Sequence, residues 1–204
     1  MNYYRFVLGT LATNCYLLWS GQEAGIIDPG GDVAEISKFI KTHNLNLRWI
    51  INTHGHGDHI VGNEALMKEF GVPLFIHAAD RMMLGSAINN LSVFLEETVT
   101  SPEATRELQH GDEIILGDEI IQIIATPGHT QGGISLYTGN LLFSGDTLFA
   151  GDIGRTDLPG GDHAQLVQMI KERLLILPPE TTVLPGHEES STIGKECRDN
   201  PELY

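Results

Sequence analysis

Apolar and polar positions change period several times along the chain, and each change marks an element. Residues 6–8, 14–19 and 25–28 read as short strands broken by Gly and Asn. Asp28-Pro29-Gly30-Gly31 is a turn signal. Asp32 then opens a helix, with Glu35 in the capping-box position and Val33, Ile36 and Ile40 as one apolar stripe. The compact apolar run 48–52 reads as a buried strand, and a second helix is expected over 60–69, stopping at Gly71. A strand at 73–77 and a short helix at 79–84 follow. Residues 85–102 show no period and read as a loop able to cover a site, with an apolar stretch at 91–95. Hairpins are expected at 114–116 with 120–125, around Gly117-Asp118, and at 134–137 with 141–144, around Gly139-Asn140. Asp162, with Gln165 following, opens a helix that carries Leu166, Val167, Ile170 and Leu174. Residues 182–184 form a last strand.

Strands come in runs at both ends, with helices between. That order predicts two sheets packed face to face with helices outside. The two halves repeat a similar order without a strict sequence repeat. The length of 204 residues suits one domain, residues 1–204. Hydrophobic residues at 41% and charged residues at 19% allow a core and exclude a disordered chain. No apolar run has the length of a membrane span, so no membrane role is expected. Residues 1–10 lack a basic segment, apolar core and cleavage site, which makes a cytoplasmic protein the expectation. The net charge of −15 repels phosphate backbones and argues against a nucleic-acid partner. Cys15 and Cys197 fit no C-x-x-C pattern and read as reduced thiols. Oligomeric state has no sequence signal here.

Histidine carries the chemistry. His54, His56, Asp58 and His59 fall within six residues directly after a buried strand. A lone histidine is more often a core or surface residue than a ligand. This density reverses that expectation, and three later signals add to it. Pro127-Gly128-His129-Thr130, Ser144-Gly145-Asp146-Thr147 and Pro185-Gly186-His187-Glu188 each follow a strand and set one donor beside glycine. Imidazole and carboxylate donors suit zinc, iron or manganese, and no cysteine accompanies them as in closed structural sites. Such sites keep positions for water, whose pKa the metal lowers.

The order H-x-H-x-D-H, then His, Asp and His, resembles the metallo-β-lactamase superfamily over nearly the whole chain. The resemblance implies an αβ/βα four-layer sandwich of two mixed sheets flanked by helices, with the site at one edge. It implies two divalent metal ions, zinc first, with iron or manganese as alternatives. His54, His56 and His129 would bind one ion, Asp58, His59 and His187 the other, and Asp146 would bridge them. A cysteine commonly stands at the place of Asp146 in true lactamases, which points instead to the glyoxalase II-like (hydroxyacylglutathione hydrolase-like) branch. The implied reaction is attack of a metal-bridging hydroxide on a small-molecule thioester. Asp58 is a ligand in that scheme, and a catalytic proton acceptor if one metal is lost.

Gly154-Arg155-Thr156-Asp157, with Leu158-Pro159-Gly160-Gly161 after it, resembles the compact glyoxalase II-like hydrolases. Arg155 has two readings: it holds a substrate carboxylate, or it pairs with Asp157. The same Gly-Arg-Thr-Asp also resembles persulfide dioxygenases. By that alternative a single iron would sit on His54, His129 and Asp146 in an oxidoreductase. Full-length glyoxalase II enzymes carry a C-terminal helical domain for glutathione that this chain, ending at Tyr204, leaves no room for. His77 and His110 read as structural, and Thr130 and Thr147 as residues that tune the ligands.

Overall fold

The computed structural model describes residues 1–95 and 97–204. Glu96, inside the segment read as a loop, lies outside the described residues. The first sheet orders β1 (Asn2–Leu8), β2 (Thr13–Ser20), β3 (Glu23–Ile27), β4 (Asn46–Ile51), β5 (Leu74–His77) and β6 (Arg106–Leu108) side by side. Its first three strands pair antiparallel, and β3 to β6 pair parallel. The second sheet orders β12 (Ser191–Thr192), β11 (Thr182–Pro185), β10 (Leu141–Gly145), β9 (Ile134–Thr138), β8 (Glu119–Ala125) and β7 (Glu113–Leu116). Only β10 and β11 pair parallel in it among the described residues. Both sheets are therefore mixed, as expected.

β2 shows why the layers stack. Its residues are buried on both faces, so alternate side chains enter different cores. Tyr16 and Leu18 join Trp49, Ile51, Ile121, Leu136 and Phe143 between the sheets. Leu17 faces the other way, where Ile36 and Ile40 of α1 (Ala34–Thr42) and Leu66 of α3 (Asn63–Phe70) cover the first sheet. Leu166 of α5 (His163–Met169) and Ile193 of α6 (Ile193–Asp199) cover the second sheet over Leu142 and Val183. The order of layers is helix, sheet, sheet, helix. Tyr3 packs edge-on against Tyr16 and Phe143.

Both expected hairpins form, with Gly117 and Gly139 at φ +59. Asp162 accepts the Gln165 N–H at 3.0 Å, as its capping signal required. Asp32 instead bonds Ala34 N–H, and α1 starts one residue later than a capping box would place it. The helix expected over 60–69 is broken into α2 (Gly57–Ile60) and α3. The break is at Gly62, where a Cβ would lie 2.3 Å from Val33 Cγ1 and whose N–H donates to Pro29 O. The turn 28–31 therefore presses into the helix path. The short helix expected at 79–84 is a 3-10 turn running into α4 (Arg81–Leu84). Among the described residues, no helix is long and apolar enough to cross a membrane.

Candidate metal centre

The donor residues follow the C-terminal ends of β4, β8, β10 and β11, which bring them to one edge of the sandwich. β4 leads through Asn52 and Thr53, both buried, into the dense motif. α2 starts at Gly57, so Asp58 and His59 occupy its first turn. His129 comes from the loop after β8, Asp146 directly follows β10, and His187 follows β11.

All the predicted donors converge. His129 Nε2 lies 3.0 Å from His56 Nδ1, and His59 Nε2 lies 3.3 Å from His187 Nε2. Asp58 Oδ2 is 3.4 Å from His59 Nε2 and 3.3 Å from His187 Nε2. Asp146 stands between the groups: its Oδ2 is 3.6 Å from His129 Nε2 and 3.5 Å from His187 Nε2. Three donor sets lie tight enough to hold a cation: His54, His56 and His129; His54, His59 and Asp146; Asp58, His59 and His187.

The donors also fit a cation by what they lack. His54 Nε2 and Asp146 Oδ1 are buried without a hydrogen-bond partner among the described residues. His59 Nε2, 3.5 Å from Asp146 Oδ1, is too far to make a good bond. A buried polar atom left unpaired costs about 1–3 kcal/mol, so a cluster of them marks a place for a missing partner.

Outer bonds set four of the five imidazoles. His129 Nδ1 donates to Arg155 O at 2.7 Å, and His187 Nδ1 donates to Leu11 O at 3.0 Å. A carbonyl only accepts, so both rings present a bare Nε2 to the cluster. Asp28 does the same for His59 through Nδ1 at 3.0 Å. Asp28 Oδ2 also accepts the Thr53 hydroxyl at 2.6 Å, leaving Thr53 Oγ1 free to accept His54 Nδ1–H at 3.1 Å. One carboxylate thus orients two histidines.

Charge follows from these contacts. Burial, with His59 and His56 beside it, holds His54 well below the usual imidazole range. Burial and His129 take His56 down to about 3. Burial pushes His59 down, but Asp58, Asp146 and Asp28 outweigh it and raise this ring. Burial raises Asp58, and His59 and His187 outweigh it, taking the carboxyl to about 2. Asp146 is likewise lowered against burial, chiefly by His59.

Two supporting carboxylates escaped the sequence reading. Asp28 was visible only as a turn residue, although φ +50 at a non-glycine position marks it in the structure. Asp80 is buried and accepts Gly55 N–H at 3.1 Å, Gly132 N–H at 2.7 Å and the Thr130 hydroxyl at 2.7 Å. It ties the first donor loop to the loop of His129. Thr130 therefore serves Asp80 instead of a ligand, and Thr147 bonds Thr126 at 2.9 Å. His77 and His110 are structural: their Nδ1 atoms accept the N–H groups of Ala79 and Ala125. Arg155 lines the cleft, and its guanidinium makes two 2.8 Å bonds to Asp157.

The model of the metallo-beta-lactamase superfamily matches residues 8–187, a span that holds every donor named above. The chain belongs to that superfamily. It is 35% identical over 206 residues to the probable metallo-hydrolase YqgX of Bacillus subtilis, covering 100% of this chain and 98% of that protein. It is 34% identical over 208 residues to the hydroxyacylglutathione hydrolase GloC of Haemophilus influenzae, covering 93% and 92%. Among solved structures, the BLEG-1 B3 metallo-beta-lactamase superposes with a TM-score of 0.94 at 36% identity, covering 99% of each chain. TTHA1623 in a di-iron-bound form gives 0.87 at 35% identity, covering 97% of this chain and 98% of that one. The chain thus has the metallo-beta-lactamase fold and is a metallo-hydrolase of a superfamily that binds divalent metals.

Proposed function

We propose that this chain is a binuclear thioester hydrolase of the hydroxyacylglutathione hydrolase type, with residues 1–204 acting as one domain. The observation that carries the reading is Asp146. Its oxygens stand between the His54, His56 and His129 set and the Asp58, His59 and His187 set, so one carboxylate serves both. Each ion would have its own donors, and Asp146 would join them. The relationship to GloC supports the substrate class. Zinc is the first choice of metal, and iron or manganese suits the same donors.

When bound, the divalent ions supply Lewis acidity and lower the pKa of water. The chain's own residues do the rest. Asp28, Thr53 and the carbonyls of Leu11 and Arg155 keep bare nitrogens pointed inward. Asp58, with a pKa near 2, is a carboxylate at neutral pH, so it ligates or accepts a proton and never donates one. A thioester suits a site without a strong acid, because a thiolate leaves unprotonated. Arg155 stands at the rim, where its charge meets an acidic substrate arm once Asp157 yields it.

A one-iron oxidoreductase on His54, His129 and Asp146 would leave Asp58, His59 and His187 without work, which favours the binuclear reading. The test is hydrolysis of S-lactoylglutathione by chelator-stripped and metal-restored protein, with ions counted per chain. Metal-dependent turnover with two ions bound is the expected result. One bound iron with oxygen uptake on a persulfide would overturn it. A chromogenic cephalosporin in the same assay separates the reading from β-lactam hydrolysis, the activity in the name of one structural neighbour.

A further inference from the structure

A cavity of about 730 Å³ opens over the donors, and His56, Asp58, His129, Asp146 and His187 form its floor. Its wall is apolar. Leu11, Leu91, Phe94 and Leu95 line it with Phe149 and Leu158. Phe94 is 83% exposed at the mouth, so this ring has no adequate partner inside the fold.

The wall is built, not loose. Asn90 O accepts the Gly57 N–H at 2.7 Å, which clips the segment to the donor motif. Asn90 Oδ1 accepts Ser92 N–H, and Asn90 Nδ2 donates to Val99 O, each at 2.9 Å. Val99 N–H donates back to the Ser92 hydroxyl at 2.8 Å. Between Asn90 and Ser92, both buried, Leu91 is held at φ +62, a conformation that a leucine rarely adopts. The segment is fixed in a strained form that sets leucine into the cleft wall.

Charge points the same way. Among the described residues lining the cavity, the only guanidinium or ammonium is that of Arg155 at the rim, and residues 91–95 of the wall bring none. Asp152 and Glu188 add negative charge to the lining. This wall suits an uncharged, apolar arm.

We propose that the acyl arm of the substrate is an uncharged aliphatic or aromatic chain, longer than lactoyl, seated against Leu91, Phe94, Leu95 and Leu158. The proposal rests on the thioester reading for its chemistry. Water gives its oxygen to the acyl carbon, the carbon–sulfur bond breaks, and sulfur keeps the electron pair. The products are a carboxylate, a thiol and a proton.

The test has two arms on the metal-loaded protein. The first measures binding of N-acetylcysteamine thioethers that carry ethyl, butyl, hexyl or octyl groups and cannot be hydrolysed. Kd should fall with length, by up to about fourfold for each methylene buried. The second measures kcat/KM for the acetyl, butyryl, hexanoyl and octanoyl thioesters of the same thiol. The octanoyl-to-acetyl ratio should be large, and Phe94→Ala and Leu158→Ala should each reduce it. A Kd that stays flat or rises with length overturns the acyl site, even with S-lactoylglutathione hydrolysed. Length-dependent binding without turnover of any thioester keeps the site and overturns the thioester reading.

Discussion

Asp28→Asn isolates what the outer carboxylate does for the metal centre. The exchange keeps size and shape, and Asn tolerates the φ of +50 that Asp28 adopts. What changes is one acceptor. Asp28 Oδ1 accepts Thr53 N–H at 2.7 Å, while Oδ2 accepts the Thr53 hydroxyl at 2.6 Å and His59 Nδ1–H at 3.0 Å. With the amide nitrogen at the Oδ2 position, His59 Nδ1 must accept, and its proton moves to Nε2, which faces the cluster. The Thr53 hydroxyl is also displaced, and it then donates to His54 Nδ1, which sends that proton inward too. With the amide flipped, the buried Thr53 N–H faces another donor instead. The first arrangement presents protonated nitrogens where the donors face the cluster, and the flipped one leaves the buried Thr53 N–H without an acceptor.

The cost can be set from two sides. Loss of an outer partner of a metal-binding histidine lowers affinity about 10- to 100-fold. A hydrogen bond to a charged group contributes about 1.5–3 kcal/mol, or roughly 10- to 150-fold. Both give the same scale. The assay is competition with a graded chelator, read as metal retained per chain, beside thermal unfolding of the stripped protein. The expected result is a metal Kd weakened by about 10-fold or more in a folded variant. A Kd within threefold of the parent would refute the tautomer argument.

Four further outcomes follow from the geometry. His56→Ala should lower bound metal and abolish hydrolysis of S-lactoylglutathione; unchanged metal content would remove His56 from the ligand set. Arg155→Ala should raise KM for that substrate about three- to fivefold with kcat kept, the scale of ~1 kcal/mol for an exposed pair; an unchanged KM assigns Arg155 to Asp157 alone. Gly186→Ala would put a Cβ 2.2 Å from Asp146 Oδ1 and 2.9 Å from His59 Cε1. Overpacking of about 1–3 kcal/mol should lower Tm by roughly 2–10 °C, with weaker metal retention; a parental Tm and metal content would show that the loop yields freely. The chelator-stripped protein should be most stable near the ordinary imidazole pKa of about 6.5. His54 and His56 are lowered, so their contribution is full above that value and fades as pH falls toward about 3 for His56. His59 and His187 are raised, so theirs is full below that value and fades as pH climbs through their folded pKa values. A stripped-protein Tm that is flat from acid to alkaline pH would contradict these assignments.

The donors were readable because the chain itself groups them. Four lie within six residues, and the other three each follow a strand beside glycine, so local sequence carries the whole pattern of candidate donors. The layered fold was readable for a similar reason: strands such as β2 and β4 are apolar runs that need cover on both faces. β6 and the short β12 were missed because an edge strand of two or three residues has no period to detect. The break at Gly62 was missed because its cause, the turn 28–31, is remote in sequence.

The supports of the site were hidden by the same rule. Asp28 reads as a turn residue and Asp80 falls unremarked in the short helix expected at 79–84, and neither has a neighbour in sequence that reveals a buried role. Their partners are distant: Asp28 meets Thr53 and His59, and Asp80 meets Gly55, Thr130 and Gly132. A ligand can be inferred from its residue type, because few other roles need a histidine beside glycine after a strand. An orienting carboxylate cannot, because its role is defined by the groups that donate to it. Asp146 shows the boundary between the two. Its place after a strand marks it as a donor, but its position between two ligand sets exists only once β10 lies beside β11. The resemblance already implies two ions with Asp146 between them, and the sheet order adds the distances that support that reading.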